Sequence, residues 1–200
     1  MNKFVMRFAE KNDANDILKI YAPYVINTSI TFEYNPPTTE EMVERMEAVK
    51  EDYPYIVCEL YNQIVGYAYA HRFMERDAYN WDVELSIYVD EKYAHRGIGK
   101  GLYTCILEIL AHQNVKNVYS IITLSNNNSI RFHKFFNFKK IGLLPNCGYK
   151  LDKWHDVIIM GRTLGSYNQD PKQFIKVNDI EKSLTDGIFD VVSTIINNGS

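Results

Sequence analysis

Two hundred residues, 46% of them hydrophobic, are enough to bury a sizeable core and suit one domain with room for an appendage. A formal charge of −3, with Lys and Arg in no long run, argues against a nucleic-acid binder that draws in a polyanion by its own field. The three cysteines form no C-x-x-C pair, no charged leader precedes an apolar segment and no apolar run approaches ~18 residues, which argues against secretion and a membrane span and makes a reducing cytoplasm the expected home.

Phe4-Val-Met-Arg-Phe8 reads as a short first strand. Asn12 and Asp13 stand as caps before a helix that carries Ala14, Ile17, Leu18, Ile20, Tyr21 and Tyr24 at helical spacing. Thr28 to Glu33 is β-branched but short, and Pro36-Pro37 ends it. Thr38-Thr-Glu-Glu41 has the spacing of a capping box for a second helix, with Met42, Val43, Met46 and Val49 on one face. The segment before Pro36 therefore lies between two helices, where it is expected to line a substrate mouth. Tyr53 to Leu60 and Ile64 to Ala70 flank Tyr61-Asn-Gln63 and read as a hairpin.

Phe73 to Trp81 mixes polar and aromatic residues with no clean period, and Val83 to Val89 follows as a strand. Its alternation puts Glu84 on the same face as Ser86 and Tyr88, a carboxylate in an otherwise apolar strand. The chain then passes through a charged turn into His95-Arg-Gly-Ile-Gly-Lys-Gly101, with three glycines in five positions ahead of an apolar helix. Glycines leave backbone N–H groups bare where the helix macrodipole is positive, which suits a phosphate or pyrophosphate. Arg96, Lys100 and a protonated His95 would add charge at the rim. The loop is not a P-loop, because Ala94 stands where the first Gly belongs and Gly101 where a Ser or Thr belongs. Nor is it a dinucleotide fingerprint, since Leu102 takes the place of the last Gly.

Leu102, Cys105, Ile106, Ile109 and Leu110 form the stripe of a helix that packs on a sheet. Asn117 to Leu124 is a strand, parallel to Val83 to Val89 because a helix joins them. Asn126 to Ser129 offers a cap for a short helix through Phe136, and Phe138 to Leu144 and Trp154 to Met160 close the core as two antiparallel strands.

The spacing Arg96-x-x-Gly99-x-Gly101 resembles the pyrophosphate-binding motif of the GCN5-related N-acetyltransferases (GNAT), and the element order is similar to that whole fold. Three more patterns resemble the phosphinothricin acetyltransferase branch: Arg76 through Val89 with Tyr79, Trp81, Glu84, Ser86 and Tyr88 between, Asn126-x-x-Ser129-Ile130-x-x-His133-Lys134, and Gly148-Tyr-Lys150 followed by Trp154, Asp156 and Val157. The likeness runs from about residue 3 to 165. It implies a mixed α/β fold with a central, mostly antiparallel sheet flanked by helices, an acetyltransferase domain over 1–165 and a C-terminal extension over 166–200. Asn137 stands where the family has Gly, a place that calls for a left-handed turn, and Met74 where many members carry a second basic residue.

The resemblance implies acetyl-CoA as co-substrate, no metal, and transfer to the amine of a small polar molecule, such as phosphinothricin or methionine sulfone, by direct attack in a ternary complex. Glu84 is the expected base, its alternative being a structural carboxylate paired with Arg72 or Arg76, and His133 the expected proton donor to the departing thiolate or relay for the amine proton, its alternative being a packed core histidine. The backbone of Ile87, Tyr88 and Val89 is expected to pair with the pantetheine arm. His95, Arg96, Gly97, Ile98, Gly99, Lys100 and Gly101 are expected to hold the pyrophosphate, with Asn126 and Ser129 on the arm. Phe32, Phe73, Arg76 and Tyr79 are expected at the substrate. His71, His112 and His155 carry no motif and no metal-ligand spacing. Other readings are an acetyltransferase for a peptide N-terminus or an aminoglycoside, and an inactive acyl-CoA-binding module; no nucleic-acid or membrane partner is expected, and a homodimer is compatible with the sequence.

Past Pro171, Asn178-Asp-Ile-Glu181 has the spacing of an N-cap with a reaching Glu, and Ile180, Leu184, Ile188, Val191, Val192 and Ile195 fall on one helical face. Gly187 is expected to interrupt that helix. Six apolar side chains would otherwise stand in water, so the helix is expected to dock, on its own domain or across a dimer.

Overall fold

A computed structural model describes residues 3–199. In chain order they form β1 (Val5–Phe8), α1 (Ala14–Asn27), α2 (Thr39–Lys50), β2 (Tyr55–Leu60), β3 (Gln63–Arg72), β4 (Asp82–Val89), α3 (Ile98–His112), β5 (Asn117–Thr123), α4 (Asn127–Phe135), β6 (Lys139–Lys150), β7 (Lys153–Thr163) and α5 (Lys182–Gly199). The strands make one seven-stranded sheet in the order β1-β2-β3-β4-β5-β7-β6. Neighbours are antiparallel except β4 and β5, which α3 joins as a crossover. No helix among the described residues is long and apolar enough to cross a membrane.

Local chemistry sets most boundaries. Thr38 caps α2 through a reciprocal pair, its N–H donating to Glu41 Oε2 at 2.7 Å while Glu41 N–H donates to Thr38 Oγ1 at 3.1 Å. The β2–β3 turn holds Tyr61 and Asn62 at φ 55° and 59°, the left-handed geometry that matches strand twist. Asn137 takes φ 62°, as its place after α4 calls for. Asp13 does not cap α1 with its side chain. Its carboxylate instead accepts the Glu10 N–H at 2.7 Å and pairs with Arg7 at 2.7 Å, because the guanidinium on β1 is the stronger donor within reach.

The last hairpin is longer than the sequence suggests. β6 runs on to Lys150 because residues 145–147 are absorbed as a bulge, where the β6–β7 register shifts between Leu144 and Gly148 and Asn146 takes φ 48°. Pro145 is tolerated because β6 is an edge strand. Leu151 and Asp152, at φ 50° and 59°, make the turn into β7.

The sheet has two unlike faces. Against one lie α3 and α5, over a core of Met6, Cys58, Val65, Ala68, Val83, Leu85, Leu102, Cys105, Ile106 and Ile109. Against the other lie α1 and α2, over Tyr55, Val57, Ile64 and Tyr67 with Tyr69 and Tyr88 packed beside them. The outer part of this second face, over β5 and β6, leaves Ile121 and Ile141 exposed.

The C-terminal segment docks on its own chain, as a single helix that Gly187 does not interrupt. Gly187 faces open space, so its missing side chain removes no contact. The buried stripe is Thr185, Phe189, Val192 and Ile196, rotated from the expected one, and Val191 and Ile195 are exposed. The rotation follows from polar contacts that hydropathy does not register. The Asn197 amide pairs with both backbone groups of Phe4, at 2.8 and 2.9 Å, and Ser193 Oγ accepts the Met6 N–H at 2.9 Å. These bonds satisfy the free edge of β1, which a sheet must otherwise protect. Asn178, expected as the cap, lies in a short 3-10 turn and donates to Lys50 O at 3.1 Å.

Candidate active site

β4 and β5 pair only at Asp82–Asn117, Val83–Val118 and Glu84–Tyr119. Beyond Glu84 the strands diverge, and the gap opens into a cleft of about 1360 Å³ walled by Leu85 to Val89 on one side and Ser120 to Ile122 on the other. Splaying leaves one edge of β4 without a strand neighbour, so its backbone groups remain for a ligand to pair with. Ile87, Tyr88, Val89, His95 to Gly101, Asn126, Ser129 and His133 all line this cleft.

At the far end of β4 the chain turns with His95 at φ 64° and Gly97 at φ 82°. The second value is native to glycine and strained for a branched side chain. α3 starts at Ile98, and an early bond of its ladder is Gly101 N–H to Gly97 O at 2.9 Å. The N–H groups of Ile98, Gly99 and Lys100 precede that bond and have no carbonyl within the helix, so they stand as an anion cradle. Gly101 itself serves packing, since a Cβ there would collide with Ile196 of α5 and come within 2.7 Å of Met6 Cε. Arg96 lies 5.5 Å from the Tyr93 ring and Lys100 4.3 Å from the Phe135 ring, which holds both cations at the rim. Bare amides flanked by two cations fit a pyrophosphate.

Glu84 points to the other face, opposite His71 in the β3–β4 register. Its side chain is 19% exposed, and its Oε2 lies 3.9 Å from His71 Nε2. Burial raises the Glu84 carboxyl above its ordinary range, and the His71 ring offsets part of that rise. The two arginines that sequence offers as partners are elsewhere. Arg72 donates to Glu75 O and Asn80 Oδ1, and Arg76 heads the exposed turn Asp77–Tyr79. His71 is thus a neighbour of Glu84 that motif reasoning passes over, although counting the antiparallel register back from the hairpin would have placed it there.

His133 lines the cleft but is built as a core residue. It is 2% exposed and stands edge-on to Tyr103 and Phe138 at 5.2 Å each. Its Nδ1–H donates to Ser129 O at 2.8 Å, which leaves Nε2 without a proton in the neutral ring. Burial pushes the ring pKa down to about 4. A ring neutral at pH 7 whose one N–H is already engaged has no proton to hand to a thiolate, so the donor role expected of His133 does not follow from its geometry. Asn126 Oδ1 caps α4 by accepting the Ser129 N–H at 3.1 Å, leaving its amide NH2 toward the cleft.

The residues expected at the substrate are spread over two elements. Phe73 packs at a tilt against Tyr119, ring centres 4.4 Å apart, and Tyr79 lies in the turn that Arg76 heads. Phe32 packs over Gly148, where a Cβ would collide with its ring, and lies 6.0 Å from the His155 ring. Buried Lys150 donates to Val25 O at 2.6 Å and Thr31 O at 2.7 Å, and the Tyr34 hydroxyl donates to Tyr149 O at 2.6 Å. Together these pin the segment after α1 to the β6–β7 hairpin. A smaller hollow of about 410 Å³ opens there and shares Ile30 and Asn126 with the main cleft. Among the described residues no cluster of three or more His, Cys, Asp and Glu is placed to hold a metal.

A mixed sheet splayed between its parallel strands, with an anion cradle at the opening, defines an acetyltransferase fold. The chain belongs to the acetyltransferase (GNAT) domain family, which it matches over residues 6–159, and it falls in the phosphinothricin acetyltransferase-like branch. It is 33% identical over 152 residues to the phosphinothricin N-acetyltransferase of Streptomyces viridochromogenes, covering 76% of this chain and 83% of that protein. It is 27% identical over 156 residues to an L-methionine sulfoximine/L-methionine sulfone acetyltransferase of Salmonella typhimurium, covering 78% and 91%. Among solved structures it resembles a phosphinothricin acetyltransferase of Sinorhizobium meliloti in complex with acetyl-CoA, with TM-score 0.81, 31% identity and coverage of 85% of this chain and 94% of that one.

Proposed function

We propose that this acetyltransferase carries acetyl from acetyl-CoA to the amino group of a small polar amine, by direct attack in a ternary complex. The observation that carries the reading is the place where the sheet opens. Pairing of β4 with β5 stops at Glu84, and the freed edge of β4 leads to the bare amides of α3. Acetyl-CoA supplies the acetyl group as an activated thioester.

The amides of Ile98, Gly99 and Lys100 hold the pyrophosphate, with Arg96, Lys100 and His95 neutralising its charge. The exposed edge at Ile87 to Val89 binds the pantetheine arm in the manner of an added strand, and an N–H of that edge stabilises charge on the carbonyl oxygen. Glu84 takes the proton from the amine. Its raised pKa brings it nearer working pH than an ordinary carboxylate, which improves it as a base. The acceptor enters beside the Phe32 segment where it is pinned to the β6–β7 hairpin, with Phe73, Arg76 and Tyr79 at the outer end.

The names of the relatives favour amino-acid analogues such as phosphinothricin or methionine sulfone. Arg76 is the basic residue that would meet a substrate carboxylate, without a second one at the place of Met74. A cytoplasmic homodimer fits the molecule, with residues 1–165 as the catalytic domain and 166–200 as its extension. The exposed Ile121 and Ile141 strip is the surface for a second copy, because a two-fold pairing lets one strip cover itself. Light scattering checks that assembly; a monomeric mass at all concentrations would remove it. An amine panel with acetyl-CoA and a thiol-detecting dye tests the activity, beside calorimetric titration with acetyl-CoA. No heat of binding removes the co-substrate assignment, and binding without thiol release for any amine leaves an inactive acyl-CoA-binding module.

A further inference from the structure

An amine that arrives as an ammonium must lose two protons in this reaction. One ends on the thiol of CoA, and the other must leave for solvent. Glu84 can take a proton, yet its carboxylate is largely covered, which narrows its own path to bulk water. His71 stands beside Glu84 and is the more exposed of the two. The two are opposite one another in the β3–β4 register, and the imidazole is 39% exposed against 19% for the carboxylate. The tautomer is set by the backbone, because His71 Nδ1 lies 3.0 Å from Arg72 O, a carbonyl that only accepts. The lone pair of the neutral ring is therefore on Nε2, the nitrogen that faces Glu84 Oε2 at 3.9 Å. One bridging water or a small rotation of Glu84 closes that distance.

We propose that His71 is the proton exit of the active site, receiving from Glu84 the proton that Glu84 takes from the amine and releasing it to solvent. The inference rests on Glu84 as base. In the relay an N–H bond of the amine breaks and an O–H bond forms on Glu84. That bond then breaks as Nε2–H forms, and the imidazolium gives this proton to water or to a buffer base. The other ionisable groups on this face are Asp82, two residues before Glu84 on β4, whose carboxylate accepts from Asn117 Nδ2 at 2.8 Å, and three phenols: Tyr69 on β3, Tyr88 on the same strand as Glu84 and Tyr119 beside it on β5. Burial raises the three phenols, so they stay neutral and cannot do this work near pH 7, and Asp82 is held on the Asn117 amide.

Two measurements decide it. With methionine sulfone or phosphinothricin as acceptor, His71→Ala is expected to lose about tenfold or more in kcat, with KM for acetyl-CoA unchanged. Added imidazole is expected to restore its rate, whereas Glu84→Gln is not rescued. Unchanged kcat in His71→Ala overturns the relay, and so does a loss that imidazole leaves untouched while His71→Gln recovers full rate. A wild-type rate in Glu84→Gln removes the base on which the relay rests, and does so whatever His71→Ala shows. Independently of any amine, the Glu84 carboxyl can be titrated by NMR, its signal assigned by its absence from Glu84→Gln. The His71 ring offsets part of the rise that burial causes, so the midpoint is expected to lie lower in the wild type than in His71→Gln. Equal midpoints show that the pair does not interact and overturn the proposal.

Discussion

The two faces of the sheet solve different problems with different materials. On the α3 face the ligand site is made of backbone, in the bare amides at Ile98 to Lys100 and the open edge of β4 above a dry aliphatic core. On the α1 and α2 face it is made of side chains. Stacked tyrosines, with Tyr55 and Tyr69 at 4.9 Å and Tyr67 and Tyr88 at 5.3 Å, lead out to the largely covered Glu84 and the more open His71. A backbone site asks only that nothing fill it, so glycine is its signature. A side-chain site depends on burial and on neighbours from other strands, so its chemistry is adjustable and its cost appears in stability.

The largest effect is expected from Glu84→Gln, which breaks the side-chain face and spares the backbone one. Turnover should fall about a hundredfold or more, the scale of a lost general base, with acetyl-CoA affinity unchanged by calorimetry. Wild-type kcat/KM should fall as pH drops through a limb lying above 4.5, the ordinary carboxylate value, because burial raises Glu84. A carboxyl with a raised folded pKa adds stability below its unfolded pKa and loses it as pH rises through the folded one. The substitution should therefore raise the neutral-pH melting temperature slightly, and the gain should vanish in acid. A melting temperature lower than wild type at pH 7 would mean that Glu84 is a structural partner rather than a strained base.

Gly99→Val tests the backbone face. A Cβ at Gly99 meets only ordinary contacts, 3.5 Å from Phe132 and 3.8 Å from Ile87, so the fold should hold. Acetyl-CoA affinity should still drop about tenfold or more, close to 1.4 kcal/mol, as the branched side chain crowds the cradle. Unaltered affinity would place the pyrophosphate elsewhere.

Gly101→Ala separates packing from binding within the same loop. Its Cβ collides with Ile196 and crowds Met6, both flexible ends, so overpacking of about 1–2 kcal/mol should lower the melting temperature by a few degrees. Turnover of the folded enzyme should be retained. A stability equal to wild type would show that α5 is not held against α3 in solution.

The smallest effect overall is expected from His133→Gln. Wild-type stability should decline as pH falls from 6.5 towards about 4, because the buried ring stays neutral while the unfolded one takes up a proton. Thermal melts across that range should lose this part of the slope in the variant, with kcat at pH 7 within about twofold. A hundredfold fall in kcat instead would restore His133 as a proton donor.

Sequence alone determined the elements whose signals are local. The α2 capping box, the β2–β3 turn, the α3 stripe and the glycine cradle each depend on residues a few positions apart, and side-chain spacing encodes them directly. Glu84 was legible for the same reason, as a carboxylate out of place in its strand. Tertiary structure decided the rest. The splay of β4 from β5 depends on where pairing stops between strands 35 residues apart, as at Val83 and Val118. The His71–Glu84 pair needs the register of two strands, and the dry cage of His133 needs Tyr103 and Phe138 to close on it. The buried face of α5 was set by Asn197 and Ser193 reaching the edge of β1, and no hydropathy pattern records a polar side chain that stands in for a neighbouring strand.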